Sequence, residues 1–291
     1  MSGLRFVDVC AGAGGSASGP AHAGFEPVPL LDKNPVAYDT LRRNRPAWQV
    51  PESDLPGFAP SRQQEIYDID PLSGGLPHVK PGAAVGRTEI ETQLRLLETT
   101  VCPAYAGQPR ALVIENVPEP VCAPDLEPIR DPIHGELNHL GHRFRRFLLN
   151  AADFGVSQDR EHGPGVALAK QAFDVFRPPE PTVREHPSVG RAPRRSISIG
   201  GWRDADRWAA RAPRVAPTSV GGSDRRGNVD LGPTGTKKVW LRTGVGGGTV
   251  TDRGRRIGHA STPPMARALG PAVRAAWAAP AASVADYTST P

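Results

Sequence analysis

Leu4-Arg-Phe-Val-Asp-Val-Cys-Ala-Gly-Ala-Gly-Gly15 is the stretch on which the reading of this chain turns. A short apolar run, Leu4, Phe6 and Val7, passes directly into a glycine-rich turn from Asp8 to Gly15. Glycine admits positive φ and lets a ligand come close to the backbone. A helix just beyond, expected over 16–23, would aim free N–H groups at the same space. The turn therefore suits a nucleotide-like ligand. About twenty residues on, a second apolar run, Val28 to Leu31, ends in Asp32, placed to accept from the two hydroxyls of a ribose. Taken alone, the turn also fits a strand-turn-helix that binds nothing.

The pattern continues outward. Strands are expected near 4–10, 26–31, 48–53, 66–72, 110–116, 144–149 and 164–169, and helices near 16–23, 35–44, 88–101 and 133–141. Alternation of this kind predicts an α/β fold with a mostly parallel sheet, in which ligands bind outside the carboxyl ends of the strands. Asp8–Gly15, Asp32, Asp54, Gly74–His78 and Glu115–Asn116 each follow an expected strand, so all should gather on one rim. A closing helix is expected over Pro263 to Ala279.

Composition narrows the class. Charged residues make up 22% of 291, and no apolar run approaches the ~18 residues of a membrane span. With the strand starting straight after the N-terminus, a cytoplasmic protein without a membrane partner is expected. Cys10, Cys102 and Cys122 are too few and too irregular for a disulfide framework or a zinc site, and no metal is expected. Charge is uneven: Arg191 to Arg256 holds fifteen Lys/Arg against five Asp, whereas the whole chain carries only +5. This segment, dense in glycine and proline, is the expected polyanion-facing surface, although a solvated arginine-rich surface has the same composition.

Four motifs in order carry a family resemblance: Asp8-Val-Cys-Ala-Gly-Ala-Gly-Gly15, Glu115-Asn116-Val117, Asn150-Ala-Ala-Asp-Phe-Gly-Val156 with Gln158-Asp-Arg160, and Gly258-His-Ala-Ser-Thr-Pro-Pro-Met-Ala-Arg-Ala-Leu-Gly270. This set resembles that of the DNA cytosine-5 methyltransferases. The resemblance implies a Rossmann-like fold binding S-adenosylmethionine, with Asp8, Gly12, Gly14, Gly15 and Asp32 at the cofactor and Asp54 at its adenine. It also implies chemistry on an extrahelical cytosine: a thiolate attacks C6, Glu115 hydrogen-bonds N3, and Arg160 orients the base, with Asn116 beside them. Without the resemblance, Glu115 and Arg160 also fit a strand-end carboxylate paired with a structural arginine.

Departures from the family pattern are equally plain. Where it places Gly-Gly-x-Pro-Cys, this chain has Gly74-Gly75-Leu76-Pro77-His78. A neutral imidazole adding to C6 would form a cationic azolium, with addition and elimination energetics unlike those of a thioether. Cys122, in a proline-rich loop, is the one cysteine placed to substitute. Cys10 is expected to pack in the glycine turn, and Cys102 to lie at the opposite edge of the sheet. The second Arg of the family's Gln-x-Arg-x-Arg is His162, and the Asn expected after Gly258 is His259. A helical segment that the family carries before residue 255 has no counterpart here.

The resemblance divides the chain into a cofactor-binding, catalytic-type domain over 1–175, a small basic DNA-recognition domain over 176–252, a closing motif and helix over 253–280 and a tail over 281–291. Arg214-Val-Ala-Pro-Thr218 resembles the motif that organises the small domain, and Arg225, Arg226, Lys237 and Lys238 are its expected phosphate contacts. Trp202, Trp208 and Trp240 are expected in that domain's core. Two functions stay open: a DNA cytosine-5 methyltransferase, and an inactive homologue that binds DNA. A monomer on double-stranded DNA is expected, with RNA also compatible.

Overall fold

A computed structural model describes residues 4–51, 69–75, 109–115, 134–191, 203–218 and 260–278. The expected helix over 88–101, together with Asp54, His78, Cys102, Asn116, Cys122, Trp202, Arg225, Arg226, Lys237, Lys238, Trp240 and His259, lies outside them. A six-stranded sheet runs in the order β2-β1-β3-β4-β8-β5. Its strands are β1 (Arg5–Val9), β2 (Glu26–Leu31), β3 (Pro71–Gly75), β4 (Ala111–Glu115), β5 (His142–Arg146) and β8 (Gly165–Ala169). A separate two-stranded pair joins β6 (Leu149–Asn150) to β7 (Glu161–His162).

β2, β1, β3 and β4 pair in parallel, and β8 enters antiparallel between β4 and β5. Central β1 shows why. Phe6, Val7, Asp8 and Val9 are all fully buried, as a strand covered on both faces requires. At the far edge, β5 alternates half-buried His142, Phe144 and Arg146 with exposed Arg143 and Arg145, and charge of this kind blunts an open sheet edge.

The helices are α1 (Ser18–His22), α2 (Pro35–Asn44), α3 over 134–139, α4 (Lys170–Val175), α5 (Ala205–Arg211) and α6 (Pro263–Ala278). Asn34 caps α2 by accepting from the Val36 N–H at 3.0 Å, and proline stands at the first helical position, where its missing N–H costs nothing. α6 turns Met265, Ala266, Leu269, Gly270, Val273 and Ala276 inward and meets α1 where Gly270 lies against the backbone of Gly19.

Several expectations change. No strand forms over 48–51, the described part of 48–53. β2 carries Pro27 and Pro29, which have no N–H to give, and its register against β1 slips between Phe6 and Asp8. The neighbouring segment is held instead by a Leu30 N–H bond to the Gln49 carbonyl (3.1 Å) and by the Arg42 guanidinium on the Val50 carbonyl (2.7 and 3.1 Å). The strand expected over 66–72 is β3, a few residues later. That expected over 144–149 divides into β5 and β6, which pair with different partners. α1 is only five residues long and has no side-chain cap, so it presents a single turn rather than the helix expected over 16–23.

Candidate active site

The chain order of the strands reverses between β1 and β3, which places a crevice at their carboxyl ends. The glycine turn occupies that crevice. Cys10 (φ 57°) and Gly12 (φ 55°) both adopt left-handed backbone there, and Cys10 is the one non-glycine residue with positive φ among those described. A Cβ built on Gly12 would meet nothing within 4 Å, so this peptide faces open space that a ligand can enter. The neighbouring glycines serve packing. A Cβ on Gly14 would fall 2.5 Å from Leu41 Cδ1, and one on Gly15 would strike the Ser261 carbonyl.

Asp32, at the end of β2, accepts from the Gly12 N–H (2.7 Å) through one carboxylate oxygen and from the Asn34 N–H (2.7 Å) through the other. Each oxygen keeps a lone pair, and the residue is half-exposed, so the carboxylate can still take ribose hydroxyls. Asp8 behaves differently from the contact expected of it. It is fully buried, and register places it directly opposite Ser73. Its two oxygens accept from Ser73 Oγ and Ser16 Oγ, both at 2.8 Å. Burial pushes its carboxyl up to about 6; the two serine hydrogen bonds oppose that shift, and the charge of Asp32 adds to it. Asp8 therefore braces the turn from behind. Neither serine was singled out in the sequence, where a hydroxyl eight residues after Asp8 and another near the end of β3 give no distinguishing pattern.

Glu115 closes β4 on the same rim. Gln158, Arg160 and His162 are buried, while Asp159 and Glu161 between them are exposed, so three polar side chains share one face by strand alternation. His162 Nδ1 lies 2.5 Å from Glu115 Oε1, with both side chains shielded from solvent. Among the described residues, His162 Nε2 is buried without a hydrogen-bond partner. Burial lowers the pKa of Arg160 below the ordinary guanidinium range, and the negative charge of Glu115 acts in the opposite direction. The charge of Glu115 thus reaches Arg160, and His162 contacts Glu115 directly.

The Asn150 motif has a structural cause. Asn150 Oδ1 accepts from the Ala152 N–H (3.0 Å) and the Arg160 N–H (3.3 Å), while its amide donates to Asp159 Oδ1 (2.6 Å). One side chain therefore sets both the 3₁₀ turn over Ala151–Phe154 and the approach to β7. Across from it, the Ala216 N–H donates to the Ser157 carbonyl (2.9 Å), the Asp159 N–H to the Ala216 carbonyl (2.8 Å) and the Thr218 hydroxyl to the Asp159 carbonyl (2.6 Å). Arg214 is exposed and its carbonyl accepts from Val189; Trp208 is half-buried on α5. A narrow apolar cavity of about 30 Å³ runs beneath α6 from Phe25 and Val273 to Ser16, Ser73 and Glu115.

The family model for C-5 cytosine-specific DNA methylases matches residues 4–186, from β1 through the site and beyond α4. The chain belongs to that family. Among its relatives, the type II methyltransferase M.NaeI of Lentzea aerocolonigenes is 32% identical over 95% of this chain and 76% of its own length. M.NgoMIV of Neisseria gonorrhoeae is 37% identical over 74% and 67%. Solved structures agree on the fold. A DNA modification methyltransferase encoded within an E. coli prophage superposes with a TM-score of 0.67 at 13% identity, covering 94% of this chain and 99% of that one. The Entamoeba histolytica methyltransferase EhMeth gives 0.64 at 12% identity, covering 96% and 100%.

The fold of this DNA methylase is that of S-adenosylmethionine-dependent methyltransferases, and S-adenosylmethionine is the cofactor. The open side of Gly12 and the remaining lone pairs of Asp32 fit it. No helix among the described residues is long and apolar enough to cross a membrane, and none of them form a His/Cys/Asp/Glu group suited to a metal.

Proposed function

We propose that this chain methylates cytosine at C5 in double-stranded DNA, with Gly12 and Asp32 at the cofactor and Glu115, Arg160 and Asn116 at the base. The observation that carries the reading is the carboxyl of Glu115, largely shielded from solvent at the sheet rim, contacted by His162 and close enough for its charge to act on Arg160. The guanidinium supplies the positive charge that suits a ring gathering negative charge in the transition state.

When bound, the cofactor supplies the methyl group. A nucleophile adds to C6, and as its electron pair enters the ring, the Glu115 carboxyl, hydrogen-bonded to N3, stabilises it. C5 then takes the methyl group, and loss of the C5 proton with departure of the nucleophile restores the aromatic ring. The guanidinium of Arg160 offers fixed donors to the base. At the nucleophile position this sequence has His78, which bears a nitrogen lone pair in place of a thiolate.

Residues 176–252 are assigned to DNA recognition, with exposed Arg214 and Thr218 set against the Arg160 loop and Arg225, Arg226, Lys237 and Lys238 as phosphate contacts. The protein is assigned to the cytoplasm as a monomer. Transfer of labelled methyl from S-adenosylmethionine to unmethylated genomic DNA tests the function, run with wild type and His78→Cys. Incorporation by either supports a methyltransferase site, and a gain in the variant assigns the deficit to residue 78. If neither incorporates methyl while both bind cofactor and DNA, the proposal fails and the chain is a non-catalytic DNA-binding homologue.

A further inference from the structure

We propose that His162 is the positioning residue of Glu115, in the place where the family pattern puts an arginine. The inference rests on the proposed methyltransferase reading for its purpose and on geometry for its existence. His162 Nδ1 and Glu115 Oε1 are 2.5 Å apart, and the two side chains are 2% and 12% exposed. Oε1 is the acceptor of this pair, so Nδ1 carries the proton and donates it.

That bond ties down one oxygen of the carboxyl, fixes the plane of the group, and leaves Oε2 to address N3 of the base. Gly75, paired in register with Glu115, leaves room there: a Cβ on it would stand 4.0 Å from Oε2. His162 is held in turn from behind, because β7 pairs it with Leu149 of β6 and strand alternation turns it to the same face as Arg160.

A second observation separates this histidine from a packing residue. Nε2 is buried and has no hydrogen-bond partner among the described residues. Buried polar atoms in native proteins are overwhelmingly hydrogen-bonded, and those that are not cluster at functional sites.

Two measurements on the full chain test the proposal. In nitrogen-15 imidazole spectra, His162 should show a proton on Nδ1, slow to exchange and far downfield, which Glu115→Gln shifts or abolishes. In methyl transfer, His162→Gln should lower kcat on the order of 100-fold, as expected for a misplaced reacting group, with cofactor affinity unchanged. His162→Arg, which restores a donor for Glu115, should retain the rate. A His162 spectrum indifferent to Glu115→Gln, or methyl transfer by His162→Gln as fast as by wild type, overturns the inference. If wild type transfers no methyl, the proposed function fails, and the spectrum alone still decides whether His162 holds Glu115.

Discussion

Replacing Asp8 by Asn perturbs one buried carboxyl whose energetics can be worked through. The wild-type group is fully buried, takes a hydrogen bond from each of two serines at 2.8 Å, and feels the charge of Asp32. Its folded-state pKa is raised from 3.8 to about 6. Because the folded form holds the proton more tightly, the stability that the neutral carboxyl contributes is fully present below about pH 4 and is lost as pH rises through about 6. A rise of about two units at about 1.4 kcal/mol per unit makes ionised Asp8 cost the fold roughly 3 kcal/mol. Asparagine cannot ionise, and both serine hydroxyls can rotate to meet its amide. Urea unfolding of wild type and Asp8→Asn between pH 4 and 8 reads the difference, with all other titrating groups common to both. The variant should gain on wild type by roughly 3 kcal/mol across that range. A stability difference that stays constant with pH would refute the argument that burial governs this carboxyl.

Asp32→Ala removes the acceptor of the Gly12 and Asn34 N–H groups and the proposed ribose ligand, so S-adenosylmethionine binding by calorimetry should weaken at least about tenfold. Gly270→Ala drives a Cβ into the backbone of Gly19 where α6 meets α1, and should cost about 1–3 kcal/mol in denaturant melts. The chain should otherwise keep its fold, since α6 remains anchored by buried Met265, Leu269 and Val273. His78→Cys should raise methyl incorporation into DNA over wild type, measured with labelled cofactor.

Local pattern was enough where local physics decides. The apolar runs around Phe6, Leu30, Leu112 and Val166 became β1, β2, β4 and β8 near their expected places, because strands covered on both faces have few polar positions. The helix expected over 35–44 is α2, held at its start by the Asn34 capping side chain and a proline that needs no donor. No strand forms over 48–51, where one Leu30 N–H bond to the Gln49 carbonyl and the Arg42 guanidinium on the Val50 carbonyl hold the segment instead.

What the sequence alone determined is the family, the glycine-rich turn and the rim of acidic residues that follow strands, because glycine conformation, strand burial and ordered motifs are properties of short segments. Only the tertiary structure decided what those residues do to one another. Ser16 and Ser73 meet on Asp8, Gly15 yields to the Ser261 carbonyl, and His162 reaches Glu115 across 47 residues of chain. Those contacts follow from strand order and register, which no local stretch encodes: an imidazole and a carboxylate become one pair only once β7 has been brought against the end of β4.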